Sequence, residues 1–327
     1  MKRYDVVMPI LKRDWPAAQV NLPFVFKNLP VKRLVVVSGP DIQPLLPADE
    51  RIIFVDENTL VEGMTFGAVK QIIRQRCGTD RRTGWYYQQF LKLGYARVCE
   101  DERYIVWDAD TVPVRPIEFE REDGALLFCL KKEYNKPYFD TLKTLLGLEK
   151  CVEESFIAEN MIMDCALMRA MLDEIEANGS VQGKAFWEKC LYAVEPAELP
   201  RSGFSEFETF GTWAMTHHPG RYATRRLKAL RSGKNILGEA PAAEVLEWAG
   251  ESYDTVSMEK FNTSTPLRHL AASPRYRAAH TAAELDALKG RFKVIPAVYR
   301  WGTGLWPRFR IWGGKYKRKL LSVAKKR

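Results

Sequence analysis

Four short runs constrain this chain more than anything else in it: "YDVVMPI" (4–10), "RLVVVSG" (33–39), "RIIFVDE" (51–57) and "RYIVWDAD" (103–110). The first reads as a buried strand. The second and third are β-branched and bounded by Gly, Pro and Asp, the composition of strands covered on both faces. Between the runs lie stretches of helical period. One spans about 14 to 27, with Asp14 as an N-cap and Pro16 in its first turn; others span about 65 to 77 and 84 to 98. Strands alternating with helices predict a mostly parallel α/β sheet. Farther on, "GALLFCL" (124–130) and "NMIMDC" (160–165) read as further strands, Asp164 as the cap of the helix "CALMRAMLDEIEAN", and "FSEFETFGTWAM" (204–215) as the start of another helix. Residues 220–295 give no clear pattern.

With 327 residues, 46% of them hydrophobic, the chain can bury a large core. No apolar run approaches the ~18 residues of a membrane span. Asp5, Pro9 and Lys12 interrupt the N-terminus where a signal peptide would be continuous, so a cytoplasmic chain is expected. The six cysteines (77, 99, 129, 151, 165 and 190) form no CxxC pair and lie mostly in apolar or helical stretches, which predicts buried thiols. The net charge of +9 is concentrated at one end. From Arg291 onward there are twelve Lys or Arg and no Asp or Glu, so the remainder holds 38 basic against 41 acidic residues, a net of −3.

Two carboxylates close the fourth run, Asp108 and Asp110 around Ala109. Ligands of open α/β sheets bind outside the carboxyl ends of the strands, which is where these aspartates fall. If the strand continues through them, i and i+2 point to one side roughly 6.5 Å apart and can address one hard divalent cation, Mn²⁺ or Mg²⁺. Such an ion keeps positions open for substrate phosphates. The plain alternative is a solvated turn at a strand end, where Asp is common.

Taken together, "YDVVMPI", "GWYYQQFLKL" shortly before a DxD, "YIVWDADTVPVRP", "SFIAENMIMD" and "FSEFETFG" resemble a bacterial family of GT-A-type glycosyltransferases related to the nucleotide-diphospho-sugar transferases. The resemblance covers roughly residues 1–220. It implies a GT-A, Rossmann-like fold over about 1–290, a nucleotide-sugar donor, a divalent metal, and transfer of the sugar to a hydroxyl of a saccharide or lipid-linked acceptor. By that resemblance Asp110 binds the metal, and Asp108 the metal or the donor ribose. Trp85, Gln88, Gln89 and Lys92 match the helix before the DxD. Gln88 and Lys92 share a helix face at i, i+4, and Lys92 reaches a phosphate or the sugar or is simply solvated. Trp85 is read as core. Glu159 and Asn160 fall in the matching segment as contacts to sugar or acceptor, with Asn160 equally suited to satisfying a turn. His217 and His218 follow the "SEFE" helix. A later histidine commonly completes the metal in such enzymes, so His218 is the third candidate ligand, and a helix C-cap is its plain alternative.

Within "SEFE", Ser205 and Glu208 form a capping-box pattern in which Glu208 folds back onto the Ser205 N–H. Glu206, at the positive end of the helix dipole, is then left as a general base for an inverting reaction. The bland reading is that both glutamates stabilise the helix start.

Two rival readings stand beside this one. "DADTV" fits the nucleophile strand of haloacid-dehalogenase-type phosphatases, with Asp108 attacking phosphorus, although that strand normally opens its domain. A non-catalytic nucleotide-sugar-binding protein at the membrane surface is the other. No GxGxxG follows the first strand and no P-loop occurs. The segment 291–327 interleaves Trp301, Trp306 and Trp312 with Lys and Arg. That pattern suits an anionic bilayer interface, and places the protein on the inner face of the cytoplasmic membrane. Single-stranded nucleic acid is the less favoured partner, and a solvated tail is the third option.

Overall fold

The structure is a computed structural model that describes residues 2–259 and 262–289. The expectations for segment 291–327 lie outside the described residues. The chain divides into two compact units, Met1–Leu227 and Lys228–Arg327. This division falls inside the 1–290 span read from the sequence.

The first unit runs β1 (Tyr4–Pro9), α1 (Trp15–Asn28), β2 (Val31–Ser38), β3 (Ile52–Asp56), α2 (Phe66–Cys77), α3 (Thr83–Gly94), β4 (Arg103–Trp107), β5 (Thr111–Pro113), β6 (Leu126–Cys129), α4 (Lys136–Leu146), β7 (Asn160–Asp164), α5 (Cys165–Ala177), α6 (Phe186–Ala193), α7 (Glu206–His217) and β8 (Tyr222–Arg225). Its main sheet has the order β3-β2-β1-β4-β7. The first four strands are parallel, with Val7 opposite Val35 and Val106, and Val36 opposite Phe54. β7 runs antiparallel to β4, Trp107 facing Asn160 and Arg103 facing Asp164. A short parallel pair joins β6 to β8. The fold is therefore α/β with a mostly parallel sheet flanked by helices.

The strand sequences explain the layering. Leu34, Val35, Val36 and Val37 are all fully buried, as are Val6 and Val7 of β1 and the Tyr104–Trp107 stretch of β4. Consecutive buried residues require cover on both faces, and each such side chain contributes about 1.5 to 3 kcal/mol. Asp164 caps α5 as its sequence predicts, accepting the Leu167 N–H at 3.1 Å. Asp14 makes no cap bond; it closes a 3-10 turn (Lys12–Asp14) ahead of α1, and Pro16 occupies the first turn instead. All six cysteines are free thiols; Cys99, Cys129, Cys165 and Cys190 are buried, Cys77 half-buried and Cys151 exposed.

The described part of the second unit holds a short parallel pair, β9 (Ala229–Leu230) with β10 (Thr255–Ser257), and five short helices: α8 (Gly233–Leu237), α9 (Ala243–Gly250), α10 (Arg268–Ala271), α11 (Pro274–Ala279) and α12 (Ala282–Ala287). Among the described residues no helix is long and apolar enough to cross a membrane.

Candidate functional site

In a sheet ordered 3-2-1-4 the chain reverses direction of growth between β1 and β4, so a crevice opens outside their carboxyl ends. β4 ends at Trp107, and Asp108, Ala109 and Asp110 form the tight turn that follows. The Thr111 N–H returns to the Asp108 carbonyl at 3.0 Å, and the buried Trp107 indole N–H donates to the Thr111 carbonyl at 2.7 Å. The strand spacing expected of the two aspartates therefore does not apply; the turn sets their relative direction. Asp108 is half-buried and Asp110 exposed.

Asp108 is held from two sides. The Lys92 ammonium donates to its Oδ1 at 2.6 Å and to Glu206 Oε1 at 2.7 Å, and sits 4.6 Å from the centre of the Phe207 ring. The backbone N–H of Asp108 donates to the Glu159 carbonyl at 2.9 Å. Lys92 is only 3% exposed and Glu206 only 4%. Burial works to push the lysine pKa down, but the charges of Asp108 and Glu206 prevail and hold it above the ordinary value. Burial is also the first cause of the rise in the Glu206 pKa, which Lys92 opposes and Asp108 reinforces. Lys92 is thus an internal cation locked between two carboxylates.

Helix α3 positions this lysine. Tyr104 of β4 donates its hydroxyl to the Lys92 carbonyl at 2.8 Å, which ties the helix to the sheet. Gln89, one turn earlier, accepts the Glu206 N–H at 3.1 Å and donates to the Trp85 carbonyl at 3.2 Å. Gln89 and Lys92, at i, i+3, therefore meet α7; Gln88, read from the sequence as sharing a donor-facing side with Lys92, is half-buried. Trp85 is half-buried too, stacked on Tyr138 with Arg82 over its ring.

The start of α7 departs from the expected capping box. Ser205 Oγ accepts the Glu208 N–H at 3.3 Å, but the Glu208 side chain does not return to Ser205. It turns to the segment before β7, where Oε1 accepts from the Ser155 hydroxyl and from the Phe156 N–H at 3.0 Å. Glu208 is 1% exposed, and burial raises its pKa against those two hydrogen bonds. Glu206, expected to be left without a structural partner, has one in Lys92 and is buried.

Glu159 is 8% exposed and forms a close bidentate pair with Lys131; Asn160 is 1% exposed and its Oδ1 accepts from the Cys129 thiol at 3.5 Å. His217 and His218 close the C-terminal end of α7, where both rings pack on Trp213. They stand about 18 Å along the helix axis from Glu206. His218 is thus at the wrong end of α7 to complete a metal on Asp108 and Asp110. Among the described residues no group of three or more His, Cys, Asp or Glu is arranged to hold a metal ion.

The structure brings together Asp108, Lys92, Glu206 and Gln89, with Glu159 against the backbone of Asp108. Lys131, Ser155 and Phe207 complete the surroundings; Ser155 and Phe207 lie within the matching segments "SFIAENMIMD" and "FSEFETFG" without a role read from them there, and Lys131 lies in none of those segments.

No curated protein matches the sequence. Among solved structures the chain is similar to mouse xyloside xylosyltransferase 1 in its apo form, at 15% identity over 80% of this chain and 99% of that one, TM-score 0.41. It is similar to the galactosyltransferase LgtC in complex with donor and acceptor sugar analogues, at 12% identity over 90% of this chain and 99% of that one, TM-score 0.38. It is also similar to the apo form of the glycosyltransferase GlyE of Streptococcus pneumoniae TIGR4, at 8% identity over 89% of this chain and 64% of that one, TM-score 0.39. Residues 41–251, more than half of the chain, match the model of DUF6492, and the protein belongs to this family of unknown function.

Proposed function

We propose that this protein is a glycosyltransferase that moves a sugar from a nucleoside-diphosphate-sugar donor to a hydroxyl of a saccharide or lipid-linked acceptor. The observation that carries the reading is the position of Asp108, at the carboxyl end of β4 beside the switch point, locked by a buried lysine. Two carboxylates, Asp108 and Glu206, against the single ammonium of Lys92 leave one negative charge in the cluster. With Asp110 in the same turn, the mouth of the crevice favours a cation. Mn²⁺ or Mg²⁺ fits this donor set in a particular way: oxygen ligands from Asp108 and Asp110 would supply one or two positions, and the donor's phosphates the rest. The metal would neutralise the diphosphate leaving group.

The chain's own residues divide the remaining work. Lys92 fixes the Asp108 carboxylate and never leaves the interior; Glu206 and Gln89 fix Lys92 and the start of α7. Glu159 and Asn160, adjacent to the turn, are the side on which we place the sugar or acceptor. We place the basic, tryptophan-bearing segment 291–327 at an anionic membrane surface, on the strength of its sequence, where it would raise the local concentration of a lipid-linked acceptor.

A thermal-shift screen of UDP- and GDP-sugars with and without Mn²⁺ tests the reading, because a ligand bound only by the folded state raises the melting temperature without knowledge of the acceptor. Stabilisation by a nucleotide-sugar only when Mn²⁺ is present is the expected result. Release of inorganic phosphate from simple phosphomonoesters, with no response to nucleotide-sugars, would instead make Asp108 a phosphatase nucleophile.

A further inference from the structure

We infer that Glu208 is a positioning residue through which helix α7 sets the backbone of the Asp108 turn, while the same helix sets the Asp108 carboxylate through Glu206 and Lys92. The inference rests on the proposed reading of Asp108 as a donor-site residue. Its steps are continuous. Glu208 Oε1 accepts from the Ser155 hydroxyl and the Phe156 N–H, fixing the segment that precedes β7. Ser155 is fully buried and exchanges both backbone hydrogen bonds with Lys131, the Lys131 N–H reaching the Ser155 carbonyl at 2.9 Å and the Ser155 N–H the Lys131 carbonyl at 3.0 Å. The Lys131 ammonium pairs with the Glu159 carboxylate, and the Glu159 carbonyl accepts the Asp108 N–H.

A second feature of α7 serves the same contact. Gly211, one turn past Glu208, lies against the buried ring of Phe156. A Cβ there would stand 2.6 Å from two of the ring's carbons, closer than any side chain tolerates. Glycine at this helical position costs about 1 kcal/mol relative to alanine and gives the segment its seat. Residues Glu206 through Ala214 are all buried, so this stretch of α7 has no exposed face.

The geometry leaves Glu208 no approach to a substrate: it is 1% exposed, and its Oε2 is shut in with no hydrogen-bond partner among the described residues. What the site needs from it is hydrogen-bond acceptance, which an amide oxygen also provides. Glu208→Gln is therefore expected to keep both Mn²⁺-dependent nucleotide-sugar binding and turnover, whereas Glu208→Ala loses them. Ser155→Ala removes one of the two donors and falls between.

Amide hydrogen exchange supplies a readout that needs no ligand. In Glu208→Ala the Asp108 N–H should exchange faster by roughly tenfold, the equivalent of one weakened hydrogen bond, with the β2 amides of Val35–Val37 unchanged. Glu208→Gln should exchange like the wild type. An Asp108 amide equally protected in Glu208→Ala overturns the inference. So does a Glu208→Gln variant that retains protection and donor binding but not turnover, since that would make Glu208 a catalytic carboxylate. If wild-type protein binds no nucleotide-sugar in Mn²⁺, the proposed function falls, and the exchange measurement still decides whether Glu208 governs the turn.

Discussion

Lys92 and Glu206 stand 114 residues apart in the chain, yet the ammonium of one donates to Oε1 of the other at 2.7 Å, with both side chains shut away from solvent. An ion pair taken this far from water is a weak source of net stability, but removing one partner is costly, because the other is left as an uncompensated buried charge. The pair joins α3 to α7, and Asp108 is its outlet toward the crevice.

Lys92→Met leaves Asp108 and Glu206 facing one another without a cation. Unfolding in urea should show a loss of about 3 to 5 kcal/mol. Adding Glu206→Gln to that variant removes the stranded charge and should recover a substantial part of the loss. Simple additivity of the two changes would contradict the coupling. By itself Glu206→Gln should lower stability more than turnover; a large fall in turnover at unchanged stability would restore Glu206 as the general base.

Asp108 and Asp110 are separable by the same logic. Asp110→Asn should abolish Mn²⁺-dependent binding of nucleotide-sugars and leave the fold intact, because the amide keeps the shape of the side chain but not its charge. Asp108→Asn should abolish binding and also lower stability by about 1 to 3 kcal/mol, since Lys92 loses a charged acceptor. Calorimetric titration with Mn²⁺, beside urea denaturation, checks both. Unchanged donor affinity in Asp110→Asn would remove the diphosphate site from this turn.

The contrast between what was legible and what was not follows from range. β1 to β4, β7 and the cap Asp164 are written locally, in runs of buried β-branched and apolar residues and in a single N-cap. The site is not. "SEFE" contains a capping box as a string, but Glu208 finds Ser155 and Phe156, partners more than fifty positions away, and these outcompete the local return to Ser205. Gln88 and Gln89 are indistinguishable by pattern, and only the docking of α7 selects Gln89. For Asp108 and Asp110 the local pattern leaves strand continuation and a strand-end turn both open, and it is the turn that forms, closed by the Trp107 indole on the Thr111 carbonyl. The adjacency of His217 and His218 suggested a ligand, whereas the length of α7 carries them to its far end.

The tail is tested by its charge. Residues 291–327 carry twelve basic and no acidic residues, against a net of −3 for the remainder. Deleting residues 298–327 should release the protein from anionic vesicles without altering nucleotide-sugar binding. Co-sedimentation of the full chain should weaken with salt yet persist in part through Trp301, Trp306 and Trp312. Full-length protein that ignores anionic vesicles and captures single-stranded nucleic acid would reassign the segment.

Asp5 is one buried group through which the acid dependence of stability can be examined. It is fully buried in β1, its Oδ1 accepting from Arg33 Nε at 2.8 Å, and its Oδ2 from the second guanidinium nitrogen at 2.6 Å and from the Tyr95 hydroxyl at 2.8 Å. Burial works to raise its pKa, but the hydrogen bonds from Arg33 and Tyr95 prevail and hold it below the ordinary 3.8. The folded state therefore binds fewer protons at this group than the unfolded chain does. Its stabilisation is present above the ordinary value and is lost as pH falls through the lowered one. Asp5→Asn keeps the volume and removes the charge, which leaves Arg33 without its bidentate partner. The expected cost is about 3 to 5 kcal/mol at neutral pH. The gap between wild type and variant should narrow in acid, because below the ordinary value the unfolded wild-type chain takes up a proton at Asp5 that the folded state binds only at lower pH. Denaturation curves at neutral pH and near pH 3 measure that gap. A gap that stays constant across the range would mean that Asp5 acts through packing alone, and that the acid sensitivity of the fold originates elsewhere.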